Sequence, residues 1–284
     1  MSKVIISAAL TGVLANRNQC PAIPYTPDEI AEEARRAYEA GAAIAHIHAR
    51  EDDGSPSFRP ERYREIVTAV KERCPIIINL STGAVGLSKE ERIAHIRATR
   101  PEIAALNMGS MNYAIYSPRR KRFIYDFVFQ NTFDEISHFV GVMTEAGARP
   151  ELECFDSGHI HNVQPLLDQG LLARPLQFSL IMGVLGGIPA TVPALVHQAA
   201  AVPPGSTWQV VGIGDSQWPM VGAALAMGGH VRVGLEDHFY LAPDQMARSN
   251  GELVAKAARM ARDMGREPAS PDEARVLLQL PITS

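Results

Sequence analysis

Short apolar runs alternate with segments of helical period along nearly the whole chain, always in the order strand then helix. The runs predict strands over Val4–Leu10, Ala42–His48, Ile76–Ser81, Ile103–Met108, Glu151–Phe155, Leu176–Met182, Trp208–Ile213 and His230–Leu235. Runs of this length, without polar alternation, are what strands buried on both faces require. A strand–helix rhythm argues for a parallel sheet, and a count of eight favours a closed (β/α)8 TIM barrel over an open doubly wound sheet.

The helix signals fall between these runs. Thr26-Pro27-Asp28-Glu29 opens the first helix, with Thr26 as N-cap, Pro27 in the first turn and Glu29 closing a capping box. Further helices are expected over Pro60–Arg73, Ser88–Thr99, Phe133–Ala146, Val192–Ala201, Pro219–Met227 and Asn250–Met264, with a short one near Val163–Leu167. No linker divides the chain, so residues 1–284 are expected to form a single barrel domain. The connection before Phe133 is long and carries Arg119-Arg120-Lys121-Arg122, which reads as a solvated loop.

Composition narrows the function. A net charge of −4, from 27 basic and 31 acidic residues, gives no reason to expect nucleic acid. Cys20, Cys74 and Cys154 are odd in number and lack a CxxC, which fits a reducing, cytoplasmic setting. The apolar run at the start is too short for a signal peptide, and no stretch is long enough to span a bilayer. The glycine-rich stretches at Gly183–Gly187 and Gly212–Gly214 match no nucleotide-binding fingerprint.

His46 and His48 end the second predicted strand. Two residues apart on a strand, their side chains point to the same face. Glu236 ends the eighth strand, and strands eight, one and two are neighbours in a barrel, so its carboxylate reaches toward the histidine pair. Two imidazoles and one carboxylate, with positions left open, make a catalytic metal site, with zinc first and ferrous iron second. His159-Ile160-His161 has the same spacing but lacks a strand pattern beneath it, and His230 and His238 read as structural or supporting residues.

Other polar residues collect at predicted strand ends, where barrels keep their chemistry. Ser81 and Thr82 offer hydroxyls to a substrate, and Asn107 ends the fourth strand. Glu151 and Glu153 share a face, so one of them is placed to act as acid or base near the metal. Arg232 lies four residues before Glu236 and starts deep in the barrel, where it needs an anion: Asp237, Glu153 or a substrate carboxylate. Gly234 between them is expected to mark a bulge that brings the two closer.

Assembled, these residues resemble the β-keto acid cleavage enzyme family. The resemblance rests on Ala9-Leu10-Thr11-Gly12, Pro24-Tyr25-Thr26-Pro27, Glu39-Ala40-Gly41-Ala42, His46-Ile47-His48-Ala49-Arg50, Ser81-Thr82-Gly83 and Leu106-Asn107-Met108-Gly109-Ser110. It continues through Pro150-Glu151-Leu152-Glu153, Gly228–Asp237 and Ser249-Asn250. It implies a (β/α)8 barrel in a homotetramer, zinc held by His46, His48 and Glu236, and acetyl-CoA as co-substrate. It further implies that a β-keto acid and acetyl-CoA give acetoacetate and a new acyl-CoA. Asp237, with Arg232 alongside, is implied as the base, with Ser81 and Glu153 assisting.

Two positions depart from that pattern. Family members acting on amino-substituted keto acids are expected to carry an acidic side chain after the first strand, where this chain has Leu14; a less polar tail follows. Ala105 stands on the fourth strand where a hydroxyl is expected. The competing reading is a zinc hydrolase, in which metal-bound water attacks a carbonyl without any need for acetyl-CoA.

Overall fold

A computed structural model describes residues 2–280. Eight parallel strands close into a barrel: β1 (Ile6–Ala9), β2 (Ile44–Ile47), β3 (Ile77–Leu80), β4 (Ile103–Asn107), β5 (Arg149–Cys154), β6 (Gln177–Met182), β7 (Thr207–Gly212) and β8 (His230–Val233). They neighbour one another in chain order, and β8 returns to pair with β1 through Arg232 opposite Ser7. The strands are shorter than the apolar runs by a residue or two at most ends, because the runs continue into the buried turns that leave the barrel.

Helices cover the outside. They include α1 (Pro27–Glu39), α2 (Pro60–Arg73), α3 (Lys89–Thr99), α4 (Phe133–Ala146), α5 (Ser157–His161), α6 (Val163–Asp168), α7 (Val192–Ala201), α8 (Gln217–Ala226), α9 (Asn250–Asp263) and α10 (Pro271–Leu278). Thr26 caps α1 with the reciprocal Glu29 bond expected, and Ser88–Glu91 and Thr132–Glu135 repeat the device on α3 and α4. Each such cap is worth about 1 kcal/mol. Among the described residues no helix is long and apolar enough to cross a membrane.

The barrel interior changes character along its axis. At the N-terminal end Ile5, Ile44, Ile77 and Ile103 form an apolar plug, closed from below by Ala274 and Leu278 of α10. Above them lies a buried polar layer in which Ser7 donates to Gln209, Gln209 donates to Ser179, and Gln177 donates to Glu151. A folded core tolerates such a layer only when its members bond one another or serve a site. Here the layer lies beneath the C-terminal mouth of the barrel.

The segment expected to be a plain loop before α4 is an antiparallel hairpin, Met111–Ser117 paired with Arg122–Phe129. Arg119, Arg120 and Lys121 lie in its exposed turn, as a solvated loop would, and Arg122 opens the second strand; no sequence signal marked the flanking strands. The hairpin's base carries Tyr113, Phe127 and Phe129 against Phe155 at the mouth, with Tyr113 stacked on Phe127 at 5.3 Å between ring centres. A second small pairing, Ser2–Val4 with Arg266–Pro268, ties the two ends of the described chain together at the opposite pole.

Candidate active site

His46 lies on β2 opposite Ala9 of β1, and β1 in turn pairs with β8. That adjacency brings both imidazoles to Glu236: Nε2 of His46 and Nε2 of His48 each lie 3.7 Å from its Oε1. The separation exceeds a hydrogen bond. It is close to the edge of a tetrahedron built on bonds of about 2.1 Å, which is about 3.4 Å.

Burial holds both histidines in the neutral, ligating form. It drives His46 well below the usual imidazole range and His48 down to about 3, with the Arg232 charge adding to both. Glu236 Oε2 and the Nδ1 atoms of both histidines are buried with no hydrogen-bond partner among the described residues. The unpaired carboxylate oxygen, on the group that the two Nε2 atoms face at 3.7 Å, fits a donor set built for a divalent cation. His46 also has Glu151 and Glu153 close by, their ligand atoms all within 4.8 Å of one another.

Arg232 organises the acidic side of the pocket. It gives Nε to Asp237 Oδ2 at 3.0 Å and Nη2 to Asp237 Oδ1 at 2.9 Å. The same Nη2 reaches Glu236 Oε1 at 2.6 Å, and Nη1 reaches Glu153 Oε1 at 3.4 Å. Regular strand geometry would have left the arginine about 13 Å below Glu236. Instead β8 stops at Val233 and the chain turns, with the amides of Asp237 and His238 donating to Gly234 O. Gly234 is required there, since a Cβ would meet Ala9 O at 2.1 Å.

The carboxyl groups separate in acidity. Burial pushes Glu153 up to about 8, outweighing the long contact to Arg232. Burial also raises Asp237, but the Arg232 charge and its two hydrogen bonds pull it back toward ionisation. Two buried carboxyls on one guanidinium, held at different acidities, are the raw material of acid–base chemistry.

The remaining expected residues fall around this centre. Ser81 is buried at the end of β3, and its carbonyl accepts from His95 Nε2 at 2.9 Å. Ser81 Oγ, Asn107 Nδ2 and Phe129 Cζ all lie within 3.7 Å of the point where a Cβ on Gly83 would sit, so hydroxyl, amide and aromatic ring converge there. Thr82 gives its hydroxyl to Ala105 O at 2.6 Å, bridging β3 and β4. Leu14 is partly exposed on the loop after β1.

The second histidine pair does not form a site. His159 is buried in α5, where its Nδ1 accepts from the Phe155 amide, while His161 is exposed on the same short helix. His230 accepts from the Ile5 amide at the far end of the barrel. The sequence reading gave no role to Arg50, Asn79 or Tyr113. Asn79 is buried level with His46 on β3, with both amide atoms unpaired among the described residues. Burial at the hairpin's base raises the Tyr113 phenol to about 12, with Glu236, Asp237 and Glu153 adding to the effect. Of these, only Arg50 left a sequence signal, as a charged residue two positions past a strand-end histidine.

Two buried carboxyls on one arginine, beside a two-imidazole, one-carboxylate cluster at the C-terminal mouth of a (β/α)8 barrel, have the make-up of a barrel enzyme's active site. Residues 3–280 match the model of a family described as beta-keto acid cleavage enzyme. The chain belongs to that family. It is 43% identical, over 99% of both chains, to the 3-keto-5-aminohexanoate cleavage enzyme of Fusobacterium nucleatum subsp. nucleatum. It is 35% identical to the 3,5-dioxohexanoate:acetyl-CoA acetone transferase of Paraburkholderia graminis, over 98% of this chain and 96% of the relative. Among solved structures, a binary complex of ObcA with oxaloacetate superposes with a TM-score of 0.78 at 24% identity, covering 92% of this chain and 68% of that one; this shows the shared fold.

Proposed function

We propose that this enzyme converts a β-keto acid and acetyl-CoA into acetoacetate and a new acyl-CoA. The observation that carries the reading is the Asp237 carboxylate, gripped twice by Arg232 and set beside Glu236 and the two imidazoles, in a chain of this family. The acetyl-CoA in the name of the Paraburkholderia relative supports the choice of co-substrate.

His46, His48 and Glu236 would hold a divalent cation, zinc by preference, whose Lewis acidity steadies charge on the carboxylate and ketone oxygens of a β-keto acid. Asp237 takes the proton from the carbon between the two carbonyl groups, and Arg232 fixes the direction from which it does so. The carbanion attacks the acetyl thioester carbon, and collapse of the tetrahedral adduct breaks the C–S bond and releases CoA thiolate. The CoA sulfur then bonds to the distal ketone carbon as the old carbon–carbon bond breaks, leaving acetoacetate and the new thioester. The proton held by Asp237 returns to carbon.

Glu153, whose burial favours the protonated form, and the Ser81 hydroxyl donate hydrogen bonds to oxygens as charge develops. The Asn107 amide and Thr82 complete the wall on which the substrate rests, and Leu14 selects a tail without a positive charge. In the same reading the enzyme works as a cytoplasmic homotetramer. The test is a panel of β-keto acids with and without acetyl-CoA, with acetoacetate detected. Turnover that needs acetyl-CoA is expected; turnover without it would make the protein a hydrolase and end this reading.

A further inference from the structure

Arg50 is a buried cation, 1% exposed, whose hydrogen bonds all go to neutral acceptors. Nε donates to Thr11 Oγ1 at 3.0 Å and to Gly12 O at 2.9 Å; Nη2 donates to Thr11 O at 3.2 Å and Ala15 O at 2.6 Å; Nη1 donates to Gly54 O at 2.7 Å. Four of these five bonds fall on residues 11–15, the segment that leaves β1. A guanidinium removed from water is retained only where its donors are satisfied. Here they are satisfied by holding one loop in one shape.

The shape matters because of Gly12. Its φ of +57° is a left-handed conformation that glycine adopts freely. A Cβ there would stand 2.7 Å from Glu236 Cγ and 3.2 Å from Glu236 Cβ, so the bare backbone of Gly12 is the wall against which the Glu236 side chain lies. Arg232 Nη2 bears on the carboxylate at 2.6 Å, and the Glu236 amide is anchored to Ala9 O at 3.1 Å. The carboxylate is therefore set from its backbone, from Arg232 and from Gly12, and the position of Gly12 is set by Arg50.

We infer that Arg50 is a positioning residue: through the Gly12 carbonyl it holds the loop that fixes Glu236 at chelating distance from His46 and His48. The inference rests on the cation site in the proposed function. Supporting residues of this kind typically change metal affinity 10- to 100-fold when removed. Arg266 is the natural control. It too is a buried arginine holding carbonyls, of Gly229, Leu225 and Lys3, but at the opposite pole of the barrel.

The experiment is calorimetric titration of Zn2+ into chelator-stripped wild-type, Arg50→Met, Arg50→Lys, Gly12→Ala and Arg266→Met proteins, each with a thermal melt. Zinc affinity is expected to fall about 10- to 100-fold in Arg50→Met and Gly12→Ala, to fall less in Arg50→Lys, and to stay at the wild-type value in Arg266→Met despite its lower melting temperature. If Arg50→Met does not fold, Arg50→Lys and Gly12→Ala carry the test. Wild-type affinity in the Arg50 and Gly12 variants overturns the positioning role while leaving the cation site intact. Failure of the wild-type protein itself to bind Zn2+ overturns the cation site, and the inference with it.

Discussion

One nitrogen of Arg232 serves both Glu236 and Asp237: Nη2 lies 2.6 Å from Oε1 of the first and 2.9 Å from Oδ1 of the second. The candidate ligand and the candidate base are thus tied to the same donor, and neither carboxylate moves without the other. Arg232→Met leaves buried carboxylates facing one another without a cation. The expected outcome is a loss of about 3–5 kcal/mol in urea unfolding and a fall in turnover of at least about 100-fold. Arg232→Lys, which keeps the charge but not the two-pronged geometry, should recover much of the stability and little of the turnover.

The proximity of Glu236 to His46 and His48 was legible in the sequence because two simple rules combine: period-two facing on a strand, and the adjacency of strands eight, one and two in a closed barrel. The position of Arg232 was legible in part: Gly234 marked a bulge, and Asp237 and Glu153 were named as its anions, but strand spacing does not show that one nitrogen reaches Glu236 and Asp237 together. The hairpin before α4 was missed for a different reason. Ile115, Tyr116, Phe123, Ile124, Tyr125 and Val128 are exposed, so its strands lack the alternation of a half-buried pair. Arg50 stood two positions past a strand-end histidine but gave no hint of its role, because four of its five acceptors are backbone carbonyls, which no residue type announces.

Removing a ligand and removing the base should separate cleanly. In His48→Ala, stoichiometric metal in the purified protein and acetoacetate formation are both expected to disappear. In Asp237→Asn, metal content should be retained while turnover falls by about 100-fold or more, in line with the loss of a general base. Elemental analysis beside the coupled assay checks both. Full activity in the asparagine variant would show that another group takes the proton.

Leu14 is open to a direct exchange of specificity. It is 40% exposed on the loop held by Arg50, so a longer polar side chain fits there without disturbing the core. Leu14→Glu is expected to raise kcat/KM for β-keto acids with an ammonium in the tail and lower it for those with an alkyl tail. A shift of about tenfold between the two classes corresponds to about 1.4 kcal/mol, within reach of one new charge-assisted hydrogen bond. An unchanged ratio would remove Leu14 from the substrate site.

His95 gives the fold a built-in sensitivity to acid. It is fully buried, stacked on Tyr63 at 3.9 Å between ring centres, and its Nε2–H donates to the Ser81 carbonyl. Burial pushes it down to about 3, whereas in the unfolded chain it titrates at about 6.5. The unfolded state therefore binds the proton first. The stability contributed by the neutral ring is complete above about pH 6.5 and is lost progressively as pH falls from there toward 3. Each pH unit inside that window removes about 1.4 kcal/mol per such histidine. Urea unfolding at pH 7, 6 and 5 should show the slope, and His95→Phe, which keeps the stack on Tyr63 but cannot be protonated, should flatten it by one proton's worth. The same variant frees the Ser81 carbonyl, so a modest rise in KM for the keto acid is expected alongside the gain in acid tolerance. If the slopes of variant and wild type coincide, His95 is not the group that titrates.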